Sequence, residues 1–354
     1  MSLSEYLLYR DIQDLNKMAN IYECECNRNS KLELVQAIHY QMLNRSFFLK
    51  YVQELDESFI AFSTYIIFQP TRMFTVEDLM AKGSYILALF SSEMNPRKWI
   101  SQLMSSGWLF PITTKNHIQL EIPLDLSIFL RKEWGSYWLR LMPNQTKSLP
   151  FEAVRRKEEF VLVADLRLFL AKLSEEAFPM TVDGSIHKKP LHALLSLMSV
   201  QEVPLSDSKW RFGYGRRFPH YPNRFALIYD FCFHKGWIQE DGGQVYVSIS
   251  GQQEVEDMST KEILEDIRAY WLRVYRKPIP SLPFITTLIL ELCKDRWISD
   301  SDMFHALKKW LKQYYYDDVK AIFEQRIVQM LIHLGYVEVT IDPVKEQQYI
   351  KSCV

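Results

Sequence analysis

Apolar residues recur at helical spacing from the start of the chain. Leu3, Leu7, Leu8, Ile12, Leu15 and Met18 line one face of a helix predicted over residues 3–19. A second amphipathic stretch covers 32–43, after a polar break whose Ser30 suits an N-cap. A third covers roughly 47–69. Thr75 then opens a short helix with Asp78 at its third position; Gly83 is expected to close it, and Ser84 to cap another ending near Phe90. Asn95-Pro96 starts the next helix, since proline is tolerated in a first turn. Its inner stripe is Trp99, Ile100, Leu103 and Met104, and Gly107 ends it. Trp108-Leu109-Phe110, a polar turn at 113–116 and the alternating run 117–122 complete the pattern: three short helices, then a two-stranded hairpin.

The pattern returns twice. Residues 190–199 and the stretch opened by Pro222-Asn223 read as helices. Gly236 ends the second of them, Trp237-Ile238 begins a strand, and Asp241-Gly242-Gly243 is a hairpin turn before the return strand 245–249. Near the end, a long helix over 317–334 runs into Gly335 and the strand 336–340. The three junctions read Ser106-Gly107-Trp108-Leu109, Lys235-Gly236-Trp237-Ile238 and Leu334-Gly335-Tyr336-Val337. In each, glycine takes the left-handed conformation that stops a helix, and the aromatic after it turns back onto the core. Their unequal spacing fits separate small domains rather than a solenoid.

Two stretches read as connectors: 143–150, and the proline-stiffened 277–283. The predicted fold class is mainly α with small β-hairpins, built as tandem winged-helix units. The predicted domains are 1–142 (helices plus a first winged helix), 151–277 (a second) and 278–354 (a third, winged-helix-like).

Composition narrows the function. With 42 Lys and Arg against 43 Asp and Glu, the net charge is −1, so any nucleic-acid binding must come from a local patch. The N-terminus lacks the basic start and apolar run of a secretory signal, and no apolar run reaches membrane-spanning length. The five cysteines, an odd and unpatterned count in which only Cys24 and Cys26 are close together, suit a reducing compartment. A cytoplasmic protein is expected, with no membrane partner.

The Gly-Trp junctions, wings and strand ends resemble the bacterial helicase-associated proteins, which contain a domain similar to the N-terminal part of XPB-type helicases. The first 130 residues carry most of the resemblance: Leu32-Glu33-Leu34, Leu79, Met104 to Leu109, and Ile122-Pro123-Leu124-Asp125-Leu126. It implies a non-catalytic, DNA-associated accessory or regulatory role, with DNA and a protein such as a helicase as partners. No Walker A loop is present, so no motor is implied.

Candidate chemistry concentrates in one loop. From Lys209 to Arg224 lie Lys209, Trp210, Arg211, Tyr214, Arg216, Arg217 and Arg224, with no acid among them, just before the presumed recognition helix of the second repeat. Arginines fork onto phosphates and aromatics stack on bases. The alternative is an ordered surface loop whose aromatics pack under the wing and whose arginines pair with acids elsewhere. In the first repeat, Arg97 and Lys98 should face outward, with Lys115 at the wing tip; an ordinary solvated helix face explains them too. Cys24-Glu25-Cys26 is half a metal site without its other half, so no metal or cofactor is expected. No Gly-x-Ser-x-Gly elbow or dinucleotide fingerprint appears, no small-molecule substrate is evident, and an enzyme is not expected. The competing reading is a protein-interaction scaffold whose exposed aromatics and arginines anchor a partner.

Overall fold

The computed structural model describes residues 1–91, 93–114, 117–149, 154–205 and 211–354. The chain divides into two compact units, Met1–Pro143 and Asn144–Val354. Both are mainly helical with small antiparallel sheets. Among the described residues no helix is long and apolar enough to cross a membrane.

The first unit begins with α1 (Leu3–Tyr9) and α2 (Ile12–Ile21), followed by α3 (Lys31–Met42), α4 (Arg45–Gln53) and α5 (Glu57–Ile67). The single helices predicted over 3–19 and 47–69 are each two. Asp11 accepts from the Asp14 N–H and Asp56 from the Phe59 N–H, so a side-chain cap inside each apolar run starts a new helix. Then come β1 (Met73–Phe74), α6 (Val76–Phe90), α7 (Pro96–Ser105), β2 (Phe110–Thr114), β3 (His117–Glu121) and α8 (Leu124–Arg140). Gly83 does not end a helix. α6 runs straight through it, and a Cβ there would lie 2.6 Å from Pro96 Cβ. Glycine serves close approach of α6 to the start of α7 rather than termination.

The second unit contains β4 (Gln145–Thr146), α9 (Val161–Glu175), β5 (Phe178–Pro179), α10 (Lys188–Leu197), α11 (Asn223–His234), β6 (Ile238–Asp241), β7 (Gln244–Val247), α12 (Ile249–Asp257), α13 (Thr260–Tyr275), α14 (Leu282–Leu292), β8 (Trp297–Ser299) and α15 (Asp300–Leu307). α16 (Val319–Ala321) continues through a π-helical segment (Ile322–Val328) into α17 (Gln329–His333), and β9 (Val337–Ile341) and β10 (Gln348–Ser352) close the chain. The return strand that the sequence does not specify is β10, paired along its length with β9.

One connectivity occurs three times: helix, short strand, two helices, two strands. It runs α5 to β3, α9 to β7 and α14 to β10. In each sheet the last strand lies between the other two: β1-β3-β2, β5-β7-β6 and β8-β10-β9, the third extended by β4. The junctions are equally alike. Gly107, Gly236 and Gly335 have φ of 75°, 73° and 66°. The N–H of each following aromatic bonds back into the last helical turn: Trp108 to Leu103 O at 2.8 Å, Trp237 to Cys232 O at 2.9 Å, Tyr336 to Leu331 O at 2.9 Å. These are Schellman caps, and they turn a shared glycine–aromatic pair into a repeated backbone geometry.

The expected boundary between 277 and 278 is not a boundary between units, because the second and third repeats share one. Nor are the two predicted connectors free. Gln145 and Thr146 add an edge strand to β8, and the Asn144 N–H donates to Asp302. Ile279, Ser281 and Leu282 are buried. Proline-rich composition marks a change of direction there, which tertiary packing covers.

Candidate functional site

The basic-aromatic loop folds inward. Lys209 and Trp210 lie outside the described residues. Arg211 donates to Tyr221 O at 3.0 Å and to Asn223, with its guanidinium 4.1 Å from the Phe218 ring centre. Burial and the neighbouring Arg326 charge push its pKa down to about 10. Tyr214 is buried against Phe218, Tyr275 and Tyr314. Arg216 grips both oxygens of Glu240, at 2.7 and 2.6 Å, and lies over Phe233. Arg217 donates to the same carboxylate at 2.7 Å, and Tyr229 does so too. Although burial pushes the Glu240 carboxyl up, these hydrogen bonds and the Arg217 charge hold it below its usual range. The Arg217 N–H bonds Asp230, which a Cβ on Gly215 would strike at 2.3 Å from Oδ2. So Gly215 is there for close approach, within the fold rather than to a ligand.

Arg224 is 0% exposed. Its Nη1 lies 2.6 Å from Asp165 Oδ2 and its Nε 3.9 Å from Glu158 Oε2. Glu158 also meets Arg156, and His333 Nδ1 at 2.7 Å. This buried charge cluster ties α9 and α11 of the second repeat to α17 of the third. The presumed recognition helix is likewise interior: every residue of α11 from Arg224 to Cys232 is buried. A helix that is apolar around most of its circumference belongs to a core, and Phe225-Ala226-Leu227-Ile228-Tyr229 already carries that signal. Groove reading by α11, and contact through Tyr214, Arg217 or Arg224, are therefore corrected: these groups build the second unit. Arg216, though exposed, is paired with Glu240.

The first repeat is arranged otherwise. In α7, Pro96, Trp99, Ile100 and Leu103 are buried, with Trp99 stacked 5.1 Å from Phe62. Burial on the order of 1.5–3 kcal/mol per large apolar side chain pins this face inward. Arg97, Lys98, Ser101, Gln102 and Ser105 are consequently exposed, as the helical spacing predicts. α7 contains no acid, and among the described residues Arg97 and Lys98 pair with none. Lys115 lies outside the described residues.

Beside this face runs a groove of about 530 Å³ that the sequence did not disclose. Met18, Val76, Ile100 and Met104 supply its apolar lining; Arg97, Arg10 and Lys17 supply cations. Asp14 bridges the latter two, at 3.5 Å from Arg10 and 3.1 Å from Lys17. Arg10, between α1 and α2, and Lys17, within α2, lie some eighty residues upstream of α7, so only the fold reveals that they join Arg97. Among the described residues no three His, Cys, Asp or Glu side chains converge as a metal site would. Comparison with family models, curated proteins and solved structures gave no match.

Proposed function

We propose that the protein is a non-catalytic, DNA-associated accessory or regulatory protein built from tandem winged-helix units, and that the first unit makes the contact. The helix–strand–helix–helix–strand–strand order, with the last strand central, is the connectivity of a winged helix, and its repetition fits the resemblance to helicase-associated proteins. A helicase acting as a separate partner would supply the motor the chain lacks. The observation that carries the DNA reading is the acid-free outer face of α7, where Arg97 and Lys98, unpaired among the described residues, stand beside Ser101, Gln102 and Ser105. The corresponding helix of the second repeat is buried, and that of the third exposes Glu324 beside Lys320.

The test is fluorescence anisotropy of the 354-residue chain with a labelled duplex across a salt series. Each phosphate contact adds about −0.9 to the slope of log K against log salt. Arg97→Glu/Lys98→Glu should weaken binding at least about tenfold and flatten the slope by about 2. Absence of salt-sensitive duplex binding, or a double variant that binds like wild type, sinks the proposal.

A second reading rests on the groove. Its apolar lining under a cationic edge suits an amphipathic acidic segment of a protein partner. Met104→Asp would then abolish capture of the partner while leaving duplex affinity unchanged, because Met104 lies under the groove rather than on the outer face.

A further inference from the structure

A second surface, in the other unit, is independent of α7. Residues 305–316 contain no acid and end in three consecutive tyrosines. Tyr314 and Asp317 exchange backbone hydrogen bonds at 3.1 and 3.0 Å, closing a hairpin with Tyr315 and Tyr316 at its tip. Tyr315 has φ of 50°, a conformation that hairpins usually assign to glycine. A tyrosine held there is strained, and such strain persists only where the surroundings enforce it.

The enforcement is visible. Asp317 accepts from Arg326 at 2.7 and 3.1 Å, and Gln313 donates to Tyr315 O at 3.3 Å. Tyr314 packs 5.6 Å from Tyr214 and fills the space a Cβ on Gly213 would need. So the buried part of the basic-aromatic loop props this hairpin from beneath. What is propped is open to solvent: Tyr315 is 61% exposed, Tyr316 69% and Phe212 41%, with Phe212 5.9 and 6.4 Å from the two tyrosine rings. Lys308 and Lys312, a few residues upstream, are exposed and pair with no acid among the described residues.

We infer that Tyr315 and Tyr316, backed by Phe212, form a stacking platform for single-stranded nucleic acid, with Lys308 and Lys312 neutralising its phosphates. The exposed lysines argue for this occupant, because Asp317 is neutralised by Arg326 and Asp318 beyond it caps α16. A polyanion satisfies the two lysines, and its bases supply flat faces for rings presented on a projecting tip. An acidic peptide supplies the charge but lacks those faces. Base–aromatic stacking tolerates any sequence, so no base preference is expected.

The test uses the 354-residue chain, a labelled oligothymidine of about 20 nucleotides and an abasic oligonucleotide of equal length and charge, a length that covers at least one typical single-strand site. Oligothymidine should bind more tightly than the abasic strand. Tyr315→Ala/Tyr316→Ala should weaken oligothymidine binding about tenfold or more while leaving the abasic strand unaffected, and Tyr315→Phe/Tyr316→Phe should retain it. Lys308→Ala/Lys312→Ala should weaken both strands and flatten the salt dependence. Equal affinity for the two strands, or an alanine pair that binds oligothymidine like wild type, overturns the inference. Arg97→Glu/Lys98→Glu, which tests the duplex reading, should leave the stacking contribution intact, so the two proposals fail separately.

Discussion

Replacing Arg224 by methionine separates a buried structural charge from a ligand contact. Methionine keeps most of the length and apolar stem of arginine but removes the guanidinium. Asp165, 1% exposed, then loses the cation 2.6 Å away, and Glu158, 3% exposed, loses a second positive neighbour. Breaking a buried pair from one side costs about 3–5 kcal/mol, because the remaining charge has neither water nor partner. Asp165 still accepts from the Ser199 N–H at 2.7 Å, and Glu158 keeps Arg156 and His333, which places the loss near the lower figure, about 3 kcal/mol. For a unit of roughly 150–250 residues, about 2–4 °C of melting temperature follows each kcal/mol, so a fall of about 6–12 °C is expected. Urea titration followed by circular dichroism and thermal melting of the 354-residue chain measure it. Adding Asp165→Asn removes the stranded charge but leaves an acceptor for Ser199, so the double variant should regain part of the loss. An Arg224→Met protein as stable as wild type, with weakened nucleic-acid binding, would refute the reasoning and return Arg224 to the ligand.

Two further predictions concern the same unit and the helix ends. Asp230 has its carboxyl pushed up to about 6, because burial outweighs the Arg217 and Arg216 N–H donors and the nearby guanidiniums. Between about pH 4 and 6 the folded chain therefore holds a proton that the unfolded chain has released. This group's contribution to stability is greatest at low pH and is lost as pH rises through about 6, by up to about 3 kcal/mol. Denaturant midpoints of Asp230→Asn from pH 4 to 7 should lack that component; an unchanged pH profile contradicts the assignment. Among the junction glycines, a Cβ on Gly236 would meet nothing within 4 Å, whereas one on Gly107 would meet Met18 at 2.3 Å. Gly236→Ala should cost only the left-handed backbone penalty, about 1–2 kcal/mol, and Gly107→Ala that penalty plus the displacement of the buried Met18 methyl end, as melting curves would show; the reverse order would contradict this packing.

Much of the architecture is legible in local patterns. The glycine–aromatic junctions depend on a backbone conformation only glycine adopts without cost, so Gly107, Gly236 and Gly335 mark three helix ends without reference to any contact. The turn at Asp241-Gly242-Gly243 and the outward face of α7 follow in the same way, from local geometry and from helical period. Helix ends set by side-chain caps within apolar runs, at Asp11 and Asp56, are legible too but are masked by the continuous hydrophobic period. Gly83 misleads because a glycine that permits close packing and one that ends a helix look alike in sequence.

The candidate site divides along the same line. Sequence alone determined which residues carry charge, where the aromatics cluster and which helix face of the first repeat is polar. Only the tertiary structure decided what those charges meet. Glu240 and Asp165 come from other elements to neutralise Arg216 and Arg217, and Arg224. Conversely, Arg10 and Lys17 come from far upstream to join Arg97 at a groove. A local run of cations predicts a binding surface only if nothing in the fold has already claimed it. Where the pairing acid lies on another element, as Glu240 and Asp165 do, the run's own neighbourhood carries no record of it.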